Sequence, residues 1–327
     1  MKNILKAGIL IAAVSACDNG GNNPITNPGP GDDDLLPGTT NPSSSRSITR
    51  YEEEDGSGNG YAQSISYNAA DDTFSVDNLA FDGDNTYSRD NQVASLNGFR
   101  VYENDSIFQD SVTGAPINQF SHKALYGVSD NTDADGKPIT RFAIVRTGAY
   151  SGFGFGGFLY ERNGGVTIPT SGQAQFTGDY AGIRDFNGSG GLEYATGDMI
   201  MRIDFDDFNQ GSGVDGEVTN RRIFSTNGTE LTSAYLAELG ISALPTILFK
   251  VGPGVMNNAG EIAGQLGSTY FDAAENKIVQ YESGNYYAVL AGEGADMEVA
   301  GIIVVTSEDP FVDGVIARET GGFILYR

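Results

Sequence analysis

The chain of 327 residues has one cysteine, one histidine and no tryptophan, and its 43 acidic residues outnumber 19 basic ones. A single Cys and a single His exclude a Cys/His zinc site, a Cys–His nucleophile pair and an internal disulfide. The net charge of −24 argues against a nucleic-acid partner, because a phosphate backbone is bound by clustered Lys and Arg. Any Ser–His–Asp triad would have to use His122. We therefore expect no enzyme and no bound cofactor.

The N-terminus is typical of a secretion signal. Lys2 and Lys6 form a short basic region. The apolar run that follows (7–14) is shorter than the roughly 20 residues needed to span a bilayer. The run ends in the residues VSAC, which resemble a bacterial lipoprotein signal whose Cys thiol takes a diacylglyceryl group. We predict a signal peptide at 1–16 and lipid attachment at Cys17. An ordinary signal peptide with a stray Cys is the alternative.

The next segment, 18–47, is rich in Asn, Gly, Pro, Asp, Ser and Thr. Such a composition buries too little apolar surface to offset the entropy of ordering it. We expect residues 17–47 to be a lipidated Cys followed by a disordered tether that holds the folded part off the membrane. Only Leu35 and Leu36 are candidates to dock on another surface.

From about Ile48 onward, short alternating runs are separated by Gly, Asn and Asp, a pattern typical of strands joined by turns. No helix–strand alternation is present, which argues against a Rossmann or TIM arrangement. We predict an all-β chain that divides near Gly164–Gly165 into domains at 48–163 and 166–327.

The second domain has about nine strand candidates, and this spacing favours a sandwich or a closed barrel. In the clearest of them, Met199, Met201, Ile203 and Phe205 share one face, so that face should point inward. The candidates are Gln173–Tyr180, Asp198–Phe208, Gly213–Phe224, Thr246–Val251, Ile262–Tyr270, Lys277–Glu282, Asn285–Ala291, Val299–Thr306 and Gly322–Arg327.

One stretch of the second domain has helical periodicity. Leu231, Tyr235 and Leu239 are spaced four residues apart, Thr229 can cap the start, and Gly240 suits the position after the end. We predict one short helix lying across an end or a wall of the barrel.

The second domain also carries a series of family motifs. It opens with a proline–small–small–Gly run and an alternating strand that ends in Tyr-x-Gly, matched by Pro169, Gly172, Phe176, Gly178, Tyr180 and Gly182. Further motifs follow in order at Gly197–Phe205, Gly213–Asn220, Gly284 with Tyr286, Glu298 with Gly301, and the terminal GGFILYR. Together they resemble the barrel domain of transferrin-binding-protein-B-like bacterial surface lipoproteins, the type that depends on a Slam translocator.

This resemblance covers roughly 160 of the 327 residues. It implies an antiparallel up-and-down β-barrel of about eight strands with one short helix at 166–327, and a β-rich, handle-like domain at 48–163. No family motif is present in 48–163. The chain has the length of one lobe, that is, one handle and one barrel. The implied location is the outer membrane, with the lipid-anchored protein facing the cell surface after delivery by an outer-membrane translocator.

The function implied by the resemblance is non-enzymatic binding. Family members act as binding proteins or co-receptors that capture a protein, haem or a metal carrier for a partner transporter. A calycin-like barrel that holds a small apolar ligand is one alternative, although the large inward side chains argue against a roomy lumen. A structural or adhesive envelope lipoprotein is the other.

Two polar motifs are candidates for ligands. His122 could bind haem iron, but a lone His beside Lys123 is more often a surface or turn residue. A Tyr can also bind haem iron, but the sequence does not choose among its sixteen. The segment 131–136 (NTDADG) imitates the start of a calcium loop, but Phe142 stands where an EF-hand needs an acidic ligand, so a polar hairpin loop is the better interpretation.

Aromatic and acidic clusters are less specific. Gly148–Tyr160 places several aromatics among glycines, and these could form a protein-binding patch if exposed, although packing between the domains is the preferred interpretation. Paired carboxylates such as Asp204 and Asp206 carry little information in a chain with 43 acids, because solvation on an outward face is enough to explain them.

Overall fold

A computed structural model of the chain describes residues 36–54, 62–77, 79, 82, 84–105, 107–110, 112–149, 152–207, 213–250 and 255–327. The predicted signal peptide, Cys17 and residues 18–35 of the predicted tether lie outside these ranges. Within them, no helix is both long and apolar enough to cross a membrane.

The N-terminal sheet is antiparallel and curled. It has the strand order β1-β11-β10-β9-β6-β4-β3-β2, with β5 paired to β6, and β7 and β8 form a separate hairpin. The strands are β1 Ile48–Tyr51, β2 Ile65–Asn68, β3 Thr73–Val76, β4 Thr86–Arg89, β5 Ser95–Leu96, β6 Phe99–Asn104, β7 Ile107–Gln109, β8 Pro116–Asn118, β9 Lys123–Val128, β10 Thr140–Arg146 and β11 Gly156–Arg162.

The second sheet closes on itself as an up-and-down barrel. Its first strand, β12, pairs with its last, β20, and the short β15 bridges β14 and β17, so eight strands form the wall and β16 lies beside β17. The elements are β12 Gln173–Asn187, β13 Glu193–Asp204, β14 Val214–Ser225, α1 Thr232–Leu239, β15 Ile247–Phe249, β16 Val255–Met256, β17 Glu261–Asp272, β18 Lys277–Ala291, a 3-10 turn Gly294–Asp296, β19 Glu298–Glu308 and β20 Ile316–Tyr326. The predicted all-β fold with a C-terminal barrel is confirmed.

Several predicted element bounds were wrong. The two strands predicted at Lys277–Glu282 and Asn285–Ala291 are the single strand β18. Gly284 does not break it: a Cβ there would lie 1.9 Å from the carbonyl oxygen of Val304, so the glycine lets β19 approach closely. The last strand begins at Ile316, six residues earlier than predicted, because its pairing with β12 and β19 continues through that segment.

The helix α1 begins later than predicted. Leu231 occupies its N-cap position without a side-chain hydrogen bond, so Thr229 does not cap it. Instead, the hydroxyl of Thr232 accepts a hydrogen bond from the backbone NH of Ile223, which ties the helix to β14. Gly240 ends the helix in the left-handed region at φ 66°, as predicted. We call residues 226–246, which include α1, the cap segment.

Side chains fill the barrel lumen. Met199, Met201, Ile203 and Phe205 point inward and are buried, as the alternation predicted. Across the lumen, the ring of Tyr286 stacks on Phe249 with 3.9 Å between centroids. A lumen packed in this way is an apolar core in which close packing leaves little room for a guest.

The N-terminal sheet packs on the outer wall of the barrel. The ring of Phe142 lies between two glycines: a Cβ at Gly322 of the barrel would be 2.1 Å from it, and one at Gly127 of the sheet 2.3 Å. Phe158 stacks on Tyr287 of the barrel, with ring centroids 6.4 Å apart. An ion cluster completes this contact, since Arg146 and Arg318 of the two parts both approach Asp185 and Glu52.

The segment just before β1 is attached to both parts. Leu36 is 2% exposed, and its carbonyl accepts a hydrogen bond from Arg50. The guanidinium of Arg162 donates to the carbonyls of residues 43 and 46 and to those of residues 259 and 290 in the barrel. Residues 36–47 therefore make specific contacts with the folded part, and a flexible tether is a proposal only for 18–35.

Candidate functional site

A groove of about 1040 Å³ lies between the N-terminal sheet, the barrel wall and the cap segment. Its first side is formed by residues 92–97, which connect β4 to β6 through β5. Its second side is formed by Tyr194–Asp198 of β13 and 219–224 of β14, and its third by the cap segment. We call this hollow the groove, and it is the candidate binding site.

A turn at Asn97 fixes the sheet side of the groove. Asn97 adopts a positive φ of 45°, and its amide nitrogen donates to the carbonyls of Tyr180 and Gly197 on the barrel at 3.2 and 2.9 Å. Asn followed by Gly is the strongest short hairpin signal in a sequence, and it joins β5 to β6 here. Because one side chain bonds two barrel strands, this turn positions the sheet relative to the wall. A smaller hollow of about 280 Å³ lies beyond the turn.

A buried hydroxyl without a partner among the described residues lies next to the groove. Tyr194 is fully buried, and its Oη makes no hydrogen bond within the described part of the chain. Burial, with a contribution from the charge of Asp90, raises the pKa of this hydroxyl, so it is a neutral donor. Asp90 itself is paired with Lys123, which also contacts Glu103.

A buried cluster of charged residues closes the end of the lumen next to the groove. We call it the lumen cluster. Arg221 donates to both oxygens of Glu282 at 2.6 and 2.7 Å and to both oxygens of Glu319 at 3.2 Å. Arg184 bonds Glu193 at 2.7 Å and lies 3.6 Å from Glu319. Its members are Arg184, Glu193, Arg221, Glu282 and Glu319.

The cap segment is held by this cluster. The hydroxyl of Tyr235 on α1 donates to Glu193 at 2.7 Å, and the guanidinium of Arg184 lies 4.8 Å from the centre of the Tyr235 ring. The carbonyl of Pro245 accepts a hydrogen bond from Arg221. Burial raises the pKa of Glu193 above its ordinary value, although Arg184 and Tyr235 act in the opposite direction. The side of the groove formed by the cap segment is thus fixed by charges inside the barrel.

His122 is buried, so the prediction of a surface or turn residue was wrong. Its Nδ1 lies 3.2 Å from the carbonyl of Phe120, its ring packs edge-on against Tyr87 at 6.2 Å, and its Nε2 makes no hydrogen bond among the described residues. Burial lowers its pKa to about 4, and the Phe120 carbonyl opposes this shift. The residue is a neutral part of the interior, and a haem cannot reach it without opening the sheet.

The lowered pKa of His122 predicts a pH-dependent stability. An unfolded His binds a proton below about pH 6.5, whereas the folded one resists protonation down to about pH 4, so stability is present above 6.5 and is lost as the pH falls. This shift of the pKa corresponds to a change of about 3 kcal/mol in the free energy of unfolding. We compare the free energy of unfolding of the wild type with that of His122→Phe by urea denaturation. The difference, wild type minus variant, should fall by about 3 kcal/mol between pH 7 and pH 4. Parallel pH profiles of the two proteins would contradict this.

The loop at 131–136 is a hairpin loop. Asp133 uses its Oδ1 to accept hydrogen bonds from the backbone of Asp135 and Lys137, and its Oδ2 accepts one from Asn163. Asn131 bonds Glu298 of the barrel. Within the described ranges, no group of three or more His, Cys, Asp or Glu side chains is arranged to hold a metal ion.

The aromatic segment 148–160 packs between the two parts, apart from Tyr150 and Ser151, which lie outside the described residues. Phe153 is 9% exposed and lies under the guanidinium of Arg318, 4.4 Å from its ring centre. Phe155 stacks on Phe120. The outward carboxylates Asp204 and Asp206 cap the backbone of neighbouring turns, so they form no paired acid site.

Comparison with known proteins gives a likeness of fold. No protein-family model and no curated protein matches the chain. Two mutant forms of the vaccine antigen transferrin binding protein B from Haemophilus parasuis Hp5 match 85% and 80% of the chain, at 12% and 11% identity and TM-scores of 0.36 and 0.34. A surface lipoprotein matches 60% of it, and 79% of that lipoprotein is covered, at 13% identity and a TM-score of 0.28.

The chain spans 45% of the length of those two transferrin binding protein B chains. The matched structures are transferrin binding protein B and a surface lipoprotein, and the motifs at 166–327 resemble proteins of this type. With identities of 11–13% and TM-scores below 0.5, no role and no residue assignment is carried over from them.

Proposed function

We propose that this protein is a lipid-anchored surface lipoprotein of the bacterial outer membrane that acts as a non-enzymatic binding protein or co-receptor. The membrane attachment would be the lipid on Cys17. The 18 residues from Asp18 to Leu35 would allow a reach of roughly 60 Å at full extension and about 24 Å on average as a flexible chain.

One observation carries the binding role. The barrel lumen is filled with its own side chains, whereas a groove of about 1040 Å³ lies outside the barrel and is formed jointly by the sheet, the wall and the cap segment. An external hollow of this size that both parts shape together supports a ligand site there. The filled lumen also argues against the alternative of a small apolar ligand inside the barrel.

Of the ligands expected from the resemblance, a protein is favoured over haem. The one histidine is buried away from the groove, so it offers no accessible axial ligand. After removal of residues 1–16, 17 basic and 43 acidic residues leave a net charge of −26, which would attract a basic partner at low ionic strength. A partner transporter or translocator remains part of the proposal.

A structural or adhesive role is the second candidate. It is supported by exposed apolar side chains on two hairpin tips, at Val112 (89% exposed) and Ile278 (74% exposed). Exposed apolar side chains of this kind can mark contacts with other molecules.

Site-specific photo-crosslinking tests the binding role in its natural setting. A crosslinker at Ser242, in the groove, should capture a defined partner on cells grown in the organism's own environment. A crosslinker at Asp215, an exposed position outside the groove, serves as the matched control. Capture from Ser242 alone supports the proposal, while equal capture from both positions, or from neither, would refute it.

The lipid anchor is tested separately. We expect Cys17→Ala to abolish incorporation of labelled fatty acid and to release the protein from the membrane fraction, because the lipid is its proposed attachment. The measurement is metabolic labelling followed by fractionation and blotting. Unchanged membrane association of the variant would show that the attachment lies elsewhere.

A further inference from the structure

A lysine is buried between two carboxylates in the N-terminal sheet. The side chain of Lys123 is 10% exposed, and its Nζ lies 2.5 Å from Oδ2 of Asp90 and also contacts a carboxylate oxygen of Glu103. Asp90 directly follows β4, whereas Glu103 on β6 and Lys123 on β9 are opposite each other in the sheet. An amine and a carboxyl group that the fold holds in contact are positioned to condense to an amide.

Burial of this pair favours condensation. The side chain of Asp90 is 0% exposed. Of the four lysines that the structure describes, Lys123 is the buried one, whereas Lys137, Lys250 and Lys277 are exposed. Ions are costly to hold away from water, and condensation of an ammonium with a carboxylate removes two of them. Exclusion of water also protects the product, because hydrolysis of the amide requires water.

The carboxyl group of Asp90 is oriented for attack. Its Oδ1 accepts hydrogen bonds from the backbone NH groups of Gln92 and Val93 at 2.7 and 2.9 Å. When a nucleophile attacks a carboxyl carbon, negative charge develops on the oxygen that stays, and two fixed NH donors stabilise that charge as an oxyanion hole does. Oδ2 faces Lys123, so it is the oxygen that leaves.

The pair is ionised before it reacts, so the reaction needs a base. Burial opposes both charges and is the largest single influence, but hydrogen bonds outweigh it, so the pKa of Lys123 is raised and the pKa of Asp90 is lowered. An ammonium group has no electron pair with which to attack. Glu103 is the available base, because its carboxylate contacts Nζ directly and its side chain is 30% exposed.

We propose that Lys123 and Asp90 join through a side-chain amide, an isopeptide bond, with Glu103 as the proton carrier. Glu103 accepts a proton from Nζ and passes it to Oδ2 of Asp90, and the electron pair of Nζ attacks Cγ to form the N–C bond. The Cγ–Oδ2 bond then breaks, and Oδ2 leaves as water with a second proton that Glu103 carries from Nζ. One ammonium and one carboxylate become one amide and one water, so no oxidant, reductant or cofactor is consumed.

The bond fastens one side of the groove. Asp90 immediately precedes residues 92–97, which form the sheet side, and the link to Lys123 ties the start of this segment to a central strand of the sheet. A covalent link between distant residues also restricts the unfolded chain, and this stabilises the folded state. The isopeptide bond goes beyond the proposed binding function and does not depend on it.

Mass spectrometry of a tryptic digest of the full chain tests the bond. Trypsin does not cleave after a modified lysine, so residues 90–100 and 101–141 should appear as one branched peptide. Its mass should lie about 18 Da below the sum of the two separate peptides, because one water is lost. Lys277 is the matched control: it also pairs with an acid, Glu275, but the pair is exposed, so cleavage after Lys277 should be normal.

The variant Glu103→Gln tests the proton carrier. It preserves the size of the side chain but removes the base, so bond formation should be slowed about a hundredfold or more, and freshly purified variant should give unbranched peptides with a free Lys123. Circular dichroism verifies that the variant is folded. Cleavage after Lys123 in folded wild type would overturn the proposal whatever the variant does. Equally fast formation of the branched peptide in Glu103→Gln would overturn the role of Glu103.

Discussion

Replacing Arg221 with alanine should lower the free energy of unfolding by about 3–5 kcal/mol, because it removes the guanidinium that bonds two buried carboxylates. The side chain of Arg221 is 3% exposed and makes four hydrogen bonds to Glu282 and Glu319. The remaining cation, Arg184, is already bonded to Glu193. Urea denaturation followed by circular dichroism measures this change.

Arg202 provides a matched control for this prediction. It also lies on a barrel strand and also bridges two acids, Asp215 at 3.2 Å and Glu217 at 3.3 Å, but its side chain is 43% exposed. Exposed ion pairs contribute little to stability, so Arg202→Ala should lower the free energy of unfolding by less than about 1 kcal/mol. Equal losses in the two variants would show that the lumen cluster does not hold the barrel end together.

The second large effect is expected at the contact between the sheet and the barrel. Phe142→Ala should destabilise the protein by about 3–5 kcal/mol, because it leaves a cavity between two glycines whose backbones cannot fill it. We also expect faster amide hydrogen exchange in β9 and β10, which pack around this ring, than in β18. Denaturation and hydrogen exchange with mass spectrometry measure the two effects.

Phe271 is the matched control for Phe142. It is also a phenylalanine within a strand of the described fold, but it is 56% exposed, so Phe271→Ala should change stability by no more than about 0.5 kcal/mol. If the two substitutions cost the same, or if exchange in β9 and β10 is unchanged by Phe142→Ala, the packing of the sheet on the barrel does not depend on this ring.

The barrel was predictable from the sequence because its signals are local. Alternation along β13 identified the inward face of Met199 to Phe205, and Gly240 marked the end of α1. These signals act over a few residues and do not depend on the rest of the chain. The predicted interruption at residues 283–284 was wrong, because Gly284 allows close strand approach inside β18.

The lumen cluster could not be predicted because its residues are charged. In β14 an extra residue opposite Thr196–Asp198, with Asn220 at a φ of 50°, turns Arg221 to the inward face. The other four members keep the alternation of the inward residues in their strands, and these are Arg184, Glu193, Glu282 and Glu319. A charged side chain at such a position is ordinarily expected on a solvated face, so only their pairing inside the barrel explains them.

The groove could not be predicted because its residues are distant in the sequence. Asn97, Tyr194 and Ser242 belong to three separate segments, and only the closed barrel and the packed sheet bring them together. The Asn97–Gly98 pair was the one local signal, since it predicts a tight turn. The same reasoning applies to His122, because burial of a polar side chain follows from tertiary packing.

The central claim, a surface-exposed binding protein, is tested most directly by protease treatment of intact and permeabilised cells, followed by a blot for this protein. A periplasmic protein in the same samples controls for leakage. The proposal predicts that protease removes the folded part from intact cells while the periplasmic control survives. Cleavage in permeabilised cells alone would place the folded part in the periplasm and would contradict a role in capturing external ligands.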